Sequence, residues 1–134
     1  MGDRDAAVNI ILPDTEKGEL IVFEWSPEDF PYVRQYVLFD GSPLMVHGEH
    51  ALKTTSQLVI CIRGEILIET DDGQATQKKR LAAGDGSFPI PAGIWRTITI
   101  QKPDTIVVVW CDAAYSAEDY LRDKHAYKRW RLNN

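Results

Sequence analysis

The chain of 134 residues has few of the residues that cross-link a protein or anchor it in a membrane. It contains two cysteines, and both Cys61 and Cys111 lie in apolar runs, where thiols are more often buried core residues than a disulfide. No run of about 18 apolar residues is present to span a bilayer. Residues 1–5 are polar and lack the apolar centre of a signal peptide. We therefore expect a cytoplasmic protein without a membrane segment.

The chain also lacks a surplus of positive charge, because 15 Lys and Arg are set against 20 Asp and Glu, for a net charge of -5. No basic stripe stands out, so we do not expect a nucleic-acid binder. A small anionic ligand remains compatible with this balance, because a few well-placed arginines decide its binding locally. Arg34, Arg63 and Arg96 are the candidates.

The composition is that of one globular domain covering residues 1–134. The apolar fraction of 44% and the charged fraction of 26% are close to the average for globular proteins. A chain of this length can bury a core without cross-links. No internal repeat, linker or low-complexity segment interrupts it.

Short β-type runs separated by Gly, Pro and Asp turns dominate the chain. Asp71-Asp72-Gly73 is the strongest hairpin signal, because Asp-Gly supplies the positive φ angles of a primed turn. Many short strands at regular spacing predict an all-β barrel or jelly roll. The predicted strands cover residues 9–12, 18–25, 33–39, 44–52, 58–62, 65–70, 75–81, 94–100 and 105–111.

The end of the chain differs, because a helix is predicted there. Ser116 is the expected N-cap, and Asp119 would place negative charge in the first turn. The expected contacts of this helix with the rest of the protein are Tyr120, Leu121, Tyr127 and Trp130.

Two of the three histidines fall within one strand-like segment, residues 46–53. Imidazole exchanges protons near neutral pH and is the commonest metal ligand, so a general base, a metal site and a plain core histidine are all open. In a regular strand, the side chains of His47 and His50 lie on opposite faces. Only a bulge at Gly48 would bring both to the same face.

Five short motifs occur in an order that resembles one enzyme family. They are Arg34-x-Tyr36, Gly48-x-His50-Ala51-x-Lys53, Asp71-Asp72-Gly73, Pro91-x-Gly93-Ile94-Trp95 and Tyr115-x-x-x-Asp119-Tyr120-Leu121-Arg122. The pattern resembles the nucleotide-linked sugar 3,4-ketoisomerases, which are cupins that act on dTDP-4-keto-6-deoxyglucose. The resemblance implies a cupin-type β-barrel or jelly roll with a short C-terminal helix. It also implies a homodimeric isomerase of deoxysugar biosynthesis, including that of O-antigen and lipopolysaccharide, that binds a dTDP-hexose and needs no cofactor.

The chain departs from this family in the histidine segment. The family usually has Arg-Gly-x-His-Ala-His-Lys, whereas this chain has His47 in the first position and Leu52 in place of the second histidine. By resemblance, both family histidines face the active site. This chain has therefore lost one imidazole there.

A metal site is not expected. Metal-binding cupins need His-x-His, a following Glu, and a further His on the strand after the Pro-x-Gly turn. Here His47 and His50 are three residues apart, the Glu position is nearest Gln57, and the later strand offers Arg96. This set holds a divalent ion poorly. The third histidine, His125, is expected on the surface of the tail helix.

The resemblance and the residue types together suggest roles for a small catalytic set. Moving a ketone from C4 to C3 requires a base that removes the C3 proton and a relay between the two oxygens. We expect His50 as the base and Tyr36 as the relay or orienting hydroxyl, with His47 as a third candidate. A satisfied core histidine and a packed barrel aromatic are the alternatives for His50 and Tyr36.

Four further residues are candidates for substrate binding. Arg34 matches the geometry of a pyrophosphate, although a solvated strand arginine is an alternative. Gln57 lies on the same face of its predicted strand as core residues, so its side chain should point into the barrel. A polar group there needs a partner. Arg96 is placed to contact the sugar, and Trp95 to stack on a base or sugar or else to fill the core.

Three functional hypotheses remain at this point. The first is a dTDP-sugar 3,4-ketoisomerase, or a relative that carries out a neighbouring proton transfer such as an epimerisation. The second is a sugar-nucleotide-binding cupin that lost catalysis with the second histidine. The third is a structural partner of a true isomerase. A dimer is also expected because the apolar edge strand at residues 18–25 needs covering.

Overall fold

The computed structural model of the chain describes residues 8–11, 20–28 and 31–134. The helix α1 spans Lys124–Leu132 and follows a 3₁₀ turn at Ala117–Asp119. The strands in these residues are β1 Val8–Ile11, β2 Val22–Trp25, β3 Arg34–Leu38, β4 Val46–Leu52, β5 Gln57–Arg63, β6 Glu65–Asp71, β7 Thr76–Ala82, β8 Ser87–Ile90, β9 Trp95–Ile100, β10 Ile106–Cys111 and β11 Tyr120–Leu121.

Two antiparallel sheets form the body of the fold. The first sheet has the strand order β3-β10-β5-β8, and the second has β11-β4-β9-β6-β7, while β1 and β2 pair separately. Both sheets point one face inwards and enclose the main core. This core consists of Val59, Cys61, Ile66, Ile68, Leu81, Ile90, Ile98, Ile100, Val107, Val109 and Cys111. The all-β jelly-roll prediction is confirmed, and both cysteines are free, buried thiols.

The outer face of the first sheet is covered by aromatic residues from the start of the chain. The buried ring of Trp110 lies 4.9 Å from that of Phe23, 5.1 Å from Trp25 and 5.0 Å from Tyr32, measured between centroids. The apolar residues of β2 are therefore packed within the chain itself. The expected need to cover this segment is met, for Phe23 and Trp25, by packing against Trp110 within the chain.

The strand prediction misses β8, as well as the short strand β11 near the end of the chain. Residues 87–90 are outside the predicted strands, yet they form β8 and pair with β5 through Leu58 and Val59 opposite Pro89 and Phe88. Proline cannot donate a ladder hydrogen bond, so it is tolerated in a strand at the edge of a sheet. The strand β8 is such an edge, which explains why Pro89 does not break it.

The helix begins later than predicted. Ser116 makes no side-chain cap, and the chain continues as β11, where Tyr120 and Leu121 pair with β4. The helix is capped instead by Asp123, whose carboxylate accepts a hydrogen bond of 2.9 Å from the Ala126 amide. The prediction that Tyr120 and Leu121 are helical is therefore wrong, because pairing with β4 outweighs the local signal.

The helix covers the outer face of the second sheet, as predicted for Tyr127 and Trp130. Tyr127 is fully buried with Ala51 and Trp95, and Trp130 packs beside them. Among the described residues, no helix has the length and apolar character needed to cross a membrane.

Candidate active site

A bulge in β4 reorients the histidine segment. His47 pairs with Ile98, and His50 pairs with Arg96, so three steps along β4 match two steps along β9. Gly48 has a φ of 67°, a left-handed conformation that costs glycine little. The extra residue places His47 and His50 on the same inner face of the sheet. The opposite faces expected from strict alternation are thus wrong for this strand.

His50 is a buried imidazole that is uncharged at neutral pH. Its side chain is 8% exposed, and its Nε2 atom has no hydrogen-bond partner among the described residues. Burial, together with the positive charges of Arg96 and Arg122, lowers the pKa of His50 to about 4. A neutral imidazole with a free nitrogen can accept a proton.

The side chain of His47 points to the same inner face as that of His50. It lies one inward-facing pair further along the strands, opposite Ile98 instead of Arg96. Its Nε2 atom is also buried without a partner among the described residues. A Cβ atom placed on Gly41 would lie 3.5 Å from this Nε2 and 3.4 Å from the Cγ1 of Ile100. The imidazole of His47 therefore lies against the turn after β3 and the main core.

Gln57 and Arg96 form a buried polar pair beneath His50. Arg96 donates a hydrogen bond to the Gln57 Oε1 atom, and Gln57 Nε2 donates to the Cys111 sulfur at 3.1 Å. Tyr36, on β3 and separated from β5 by the strand β10, also interacts with the Gln57 side chain. Gln57 points into the barrel as its parity predicts, and it has the partners that a buried amide requires.

Arg96 places a positive charge inside the barrel. It is 2% exposed, and no ion pair within the described residues involves it. Burial lowers the pKa of Arg96 to about 10, so the guanidinium stays charged at neutral pH. A buried cation without a carboxylate partner is costly, and an anionic ligand or intermediate would compensate it.

Aromatic rings surround Arg34 at the edge of the same site. Its guanidinium carbon lies 5.4 Å from the Tyr36 ring centre and 5.3 Å from that of Tyr115, and its side chain also interacts with Tyr120. Arg122 lies over the other side of the site, 4.4 Å from the Tyr120 ring centre. Arg34 is thus held among aromatic rings rather than solvated alone.

Trp95 is not brought to this site. Successive side chains of β9 alternate between faces, so Arg96 points inwards and Trp95 points outwards. Its ring packs with Ala51 and lies 5.7 Å from the Tyr127 ring. The structure therefore places Trp95 in the core beneath the helix and away from His50.

The sequence placed Tyr120 in a family motif and among the contacts of the helix, but not among the candidate site residues. Its ring lies 4.9 Å from the His50 ring, at an angle of 56°. The sequence feature that could have pointed to Tyr120 is Asp119, the residue directly before it. A carboxylate that accepts several hydrogen bonds can fix the position of the residues next to it. Asp119 Oδ1 accepts from the Thr54 amide at 2.7 Å and the Thr54 hydroxyl at 2.8 Å, and its Oδ2 accepts from the Thr55 hydroxyl at 2.6 Å.

The described residues contain no group of three or more His, Cys, Asp and Glu side chains placed to hold a metal ion. What they do bring together is a neutral imidazole, a buried guanidinium, a buried amide and two tyrosines. Burial raises the pKa of Tyr36, so this tyrosine carries a protonated hydroxyl at neutral pH. The fold and the site together define a cupin-type barrel that holds a neutral imidazole and a buried cation close together on its inner side.

Comparison with known proteins identifies the family. The chain matches the FdtA (WxcM-like, C-terminal) family over residues 6–131 and belongs to it. It is 24% identical over 115 residues to the TDP-4-oxo-6-deoxy-alpha-D-glucose-3,4-oxoisomerase of Aneurinibacillus thermoaerophilus, covering 85% of this chain and 83% of the relative.

Solved structures of similar fold agree. A 3,4-ketoisomerase from Helicobacter canadensis superposes with a TM-score of 0.81 at 24% identity, over 92% of this chain and 94% of that one. A variant of the 3,4-ketoisomerase QdtA from Thermoanaerobacterium thermosaccharolyticum, solved with TDP-4-keto-6-deoxyglucose, has a TM-score of 0.80 at 20% identity and covers 95% of each chain. The resemblance drawn from the sequence motifs is confirmed.

Proposed function

We propose that this protein converts a dTDP-4-keto-6-deoxyhexose into the corresponding 3-keto sugar by proton transfer between adjacent carbons. The observation that carries the proposal is the buried Nε2 of His50, which has no hydrogen-bond partner in the described part of the chain and lies beside Arg96, which has no ion pair there. Membership of a family whose relatives are TDP-sugar 3,4-ketoisomerases supports it.

The reaction begins when His50 Nε2 removes the C3 proton. The electron pair of the C3–H bond forms a C3=C4 double bond, and the C4 carbonyl becomes an oxyanion. Arg96 stabilises this enediolate electrostatically, since a buried guanidinium acts strongly in a site that excludes water. After a proton moves from the C3 oxygen to the C4 oxygen, the imidazolium of His50 protonates C4 and the C3 ketone forms.

Tyr36 and the substrate-binding residues surround this base. Tyr36 either orients the sugar or relays the proton between its two oxygens. Arg34 binds the pyrophosphate, and Gln57 holds Arg96 in place against the sugar. His47 stays in the proposal as a supporting group on the same face, with no proton-transfer step assigned to it.

We also propose that the protein acts as a cytoplasmic homodimer, without a cofactor, in deoxysugar synthesis for surface polysaccharides such as O-antigen. Apolar side chains near the edge strand β3 support a dimer, because exposed edges and apolar patches tend to be covered. Val37 is 44% exposed and Phe39 60% exposed. Light scattering of the purified protein measures the mass of the assembly directly.

A second candidate is a sugar-nucleotide-binding cupin without catalysis. One observation favours it, since Leu52 is 1% exposed in the position where relatives of this family carry a second histidine by motif. An apolar residue there removes a proton carrier from the pocket. The two candidates differ in whether the C3 hydrogen of a bound sugar exchanges.

The test is incubation with dTDP-4-keto-6-deoxyglucose in deuterated buffer, followed by proton NMR of the sugar ring. A 3-keto product establishes the isomerase. Deuterium at C3 without a new product indicates a half-reaction or an epimerase. No exchange, with binding shown by calorimetry, supports the binding protein.

A matched pair of variants tests the role of His50. His50→Asn should abolish turnover while nucleotide-sugar binding remains, because the base is lost and the arginines are kept. His125→Asn is the control, since His125 is exposed on α1. Turnover retained in His50→Asn would eliminate this residue as the base.

A further inference from the structure

The strand β11 places a tyrosine opposite the residue that replaces the second family histidine. Tyr120 pairs with Leu52, and Leu121 pairs with Ala51. Ala51 and Leu121 both belong to the outer cluster under the helix, so Leu52 and Tyr120 share the inner face with His50. Directly opposed side chains on antiparallel strands have Cβ atoms about 5 Å apart. The pocket has therefore lost an imidazole and has a phenol beside the vacated position.

Tyr120 is held in contact with the proposed base. Its ring centre lies 4.9 Å from that of His50, and Arg122 lies 4.4 Å over the ring. The backbone on either side is fixed, because Asp119 is bound by Thr54 and Thr55 and its carbonyl accepts from the Lys53 amide at 2.9 Å. A hydroxyl on this ring has a defined position relative to the His50 imidazole.

The arginines near Tyr120 leave its own proton available. The guanidinium carbon of Arg122 lies 4.4 Å from the ring centre, and Arg34 also interacts with this side chain. A guanidinium can only donate hydrogen bonds, so neither arginine takes up the phenolic hydrogen. The phenolic hydrogen is then free to be donated to a substrate oxygen. A donated bond from a charged guanidinium also stabilises any negative charge that develops on the phenol.

We propose that the Tyr120 hydroxyl is the second proton-transfer group of this pocket and takes the place of the histidine that Leu52 replaces. The inference rests on the proposed function and decides which tyrosine acts as the relay. Tyr120 donates its O–H proton to the C4 oxyanion and receives the proton of the C3 hydroxyl, so the phenol is regenerated. His50 separately moves the carbon-bound proton from C3 to C4, and Tyr36 orients the sugar.

The first test is Tyr120→Phe, measured with the same nucleotide sugar. Because a positioned proton-transfer group contributes about 100-fold or more, we expect kcat to fall by about 100-fold. The KM should change by less than about threefold, because the charged contacts to the substrate remain. Exchange of the C3 hydrogen should be slowed much less than product formation, since His50 is intact. A merely structural role would lower both rates together and would shift the melting temperature.

The matched control is Tyr32→Phe, which also removes one phenolic hydroxyl. Tyr32 packs on Trp110 on the outer face of the first sheet, with 5.0 Å between ring centres, and takes no part in the site. We expect this variant to retain turnover within about twofold, because the change lies outside the site. A Tyr120→Phe protein with the kcat of wild type would overturn the inference.

A second experiment restores the lost histidine. Leu52→His should raise the kcat of Tyr120→Phe by at least about tenfold, because an imidazole at this position again supplies a proton carrier. Absence of any gain, with Leu52→His folded and active in the presence of Tyr120, contradicts the replacement. A wild-type protein that neither exchanges the C3 hydrogen nor forms product overturns the proposed function as well. A fully active Tyr120→Phe overturns only the inference.

Discussion

Replacing Asp119 with asparagine tests how the C-terminal segment is attached to the barrel. The carboxylate of Asp119 is 8% exposed and accepts three hydrogen bonds from Thr54 and Thr55. Asparagine keeps one acceptor oxygen, but its amide nitrogen cannot accept, so the Thr55 hydroxyl must turn and accept from it instead. The variant therefore loses the negative charge, and none of its remaining bonds is made to a charged group.

The expected cost follows from the strength of hydrogen bonds to charged groups. Each such bond contributes about 1.5–3 kcal/mol to stability, so we expect Asp119→Asn to lower the free energy of unfolding by about 2–3 kcal/mol. For a domain of this size the melting temperature should fall by about 10 °C. Turnover should fall as well, because Asp119 precedes Tyr120 and fixes its position beside His50.

The pH dependence of this loss has a definite sign. Burial alone would raise the pKa of Asp119, but the hydrogen bonds from Thr55 and Thr54 outweigh it and hold the pKa below its ordinary value. A group with a lowered folded pKa stabilises the protein above its unfolded pKa and loses that effect as the pH falls through the folded pKa. The difference between wild type and Asp119→Asn should therefore be full at pH 7 and shrink below about pH 4.

The assay is urea unfolding followed by tryptophan fluorescence, at pH 7 and at pH 3, together with turnover at 25 °C. The control is Asp123→Ala, which removes the helix cap at 2.9 Å from the Ala126 amide and should cost about 1 kcal/mol without changing turnover. If Asp119→Asn unfolds at the wild-type urea concentration at pH 7, the described hydrogen bonds do not hold the segment. If it is destabilised but retains full turnover, Tyr120 does not depend on this anchor.

Three further changes test other parts of the structure. The pKa of His50 is about 4 in the folded protein, so as the pH falls the imidazole takes up a proton in the unfolded chain first. The free energy of unfolding should therefore decrease by up to about 3 kcal/mol between pH 6.5 and 4 in urea titrations. The variant His50→Asn should show a smaller decrease in the same titrations. Gly64→Ala should destabilise the protein by at least about 2 kcal/mol in thermal unfolding. The reason is that the added Cβ would lie 2.1 Å from the Thr105 hydroxyl, at a backbone φ of 81°. A variant with the melting temperature of the wild type would contradict the close packing at this turn. Tyr127→Phe should lower the free energy of unfolding, measured in urea, by about 1–2 kcal/mol, because its buried hydroxyl lies 2.9 and 2.8 Å from two backbone carbonyls. Turnover should be unchanged, and a loss of turnover would show that the helix affects the pocket.

The strand pattern of this chain was predictable because its turns are chemically explicit. Asp71-Asp72-Gly73 gives a hairpin in which β6 and β7 pair residue by residue. The side-chain parity of β5 likewise predicted that Gln57 points into the barrel, and it does so beside Cys111. In both cases the information is local, since a turn or an alternation is set by residues close together in the sequence.

The tail was mispredicted because a local signal competed with distant partners. The polar residues before Tyr120 resemble a helix start, yet Asp119 is bound by Thr54 and Thr55, more than 60 residues away. Nothing near Asp119 in the sequence identifies these threonines as its partners. Once they hold the carboxylate, the next two residues pair with β4, and the helix can begin only at Lys124.

The site itself depends on register, which strand patterns leave undetermined. The alternation of side chains along a strand assigns each of them to one face of the sheet. Its position along the barrel also depends on bulges such as the one at Gly48. This bulge places His47 on the face of His50 but one pair further along, against Ile100 rather than Arg96. Counting the histidines in the motif therefore does not tell which imidazoles lie beside Arg96.

The same argument applies to the missing histidine. Compared along the sequence, Leu52 is a loss, because its side chain cannot carry a proton. Compared across the sheet, Leu52 lies opposite Tyr120, whose ring contacts His50. On an antiparallel ladder the nearest neighbour of a side chain in space belongs to another strand, so the group proposed to act in place of residue 52 is sought there. The chemistry of this chain must therefore be judged from the paired strands β4 and β11 together.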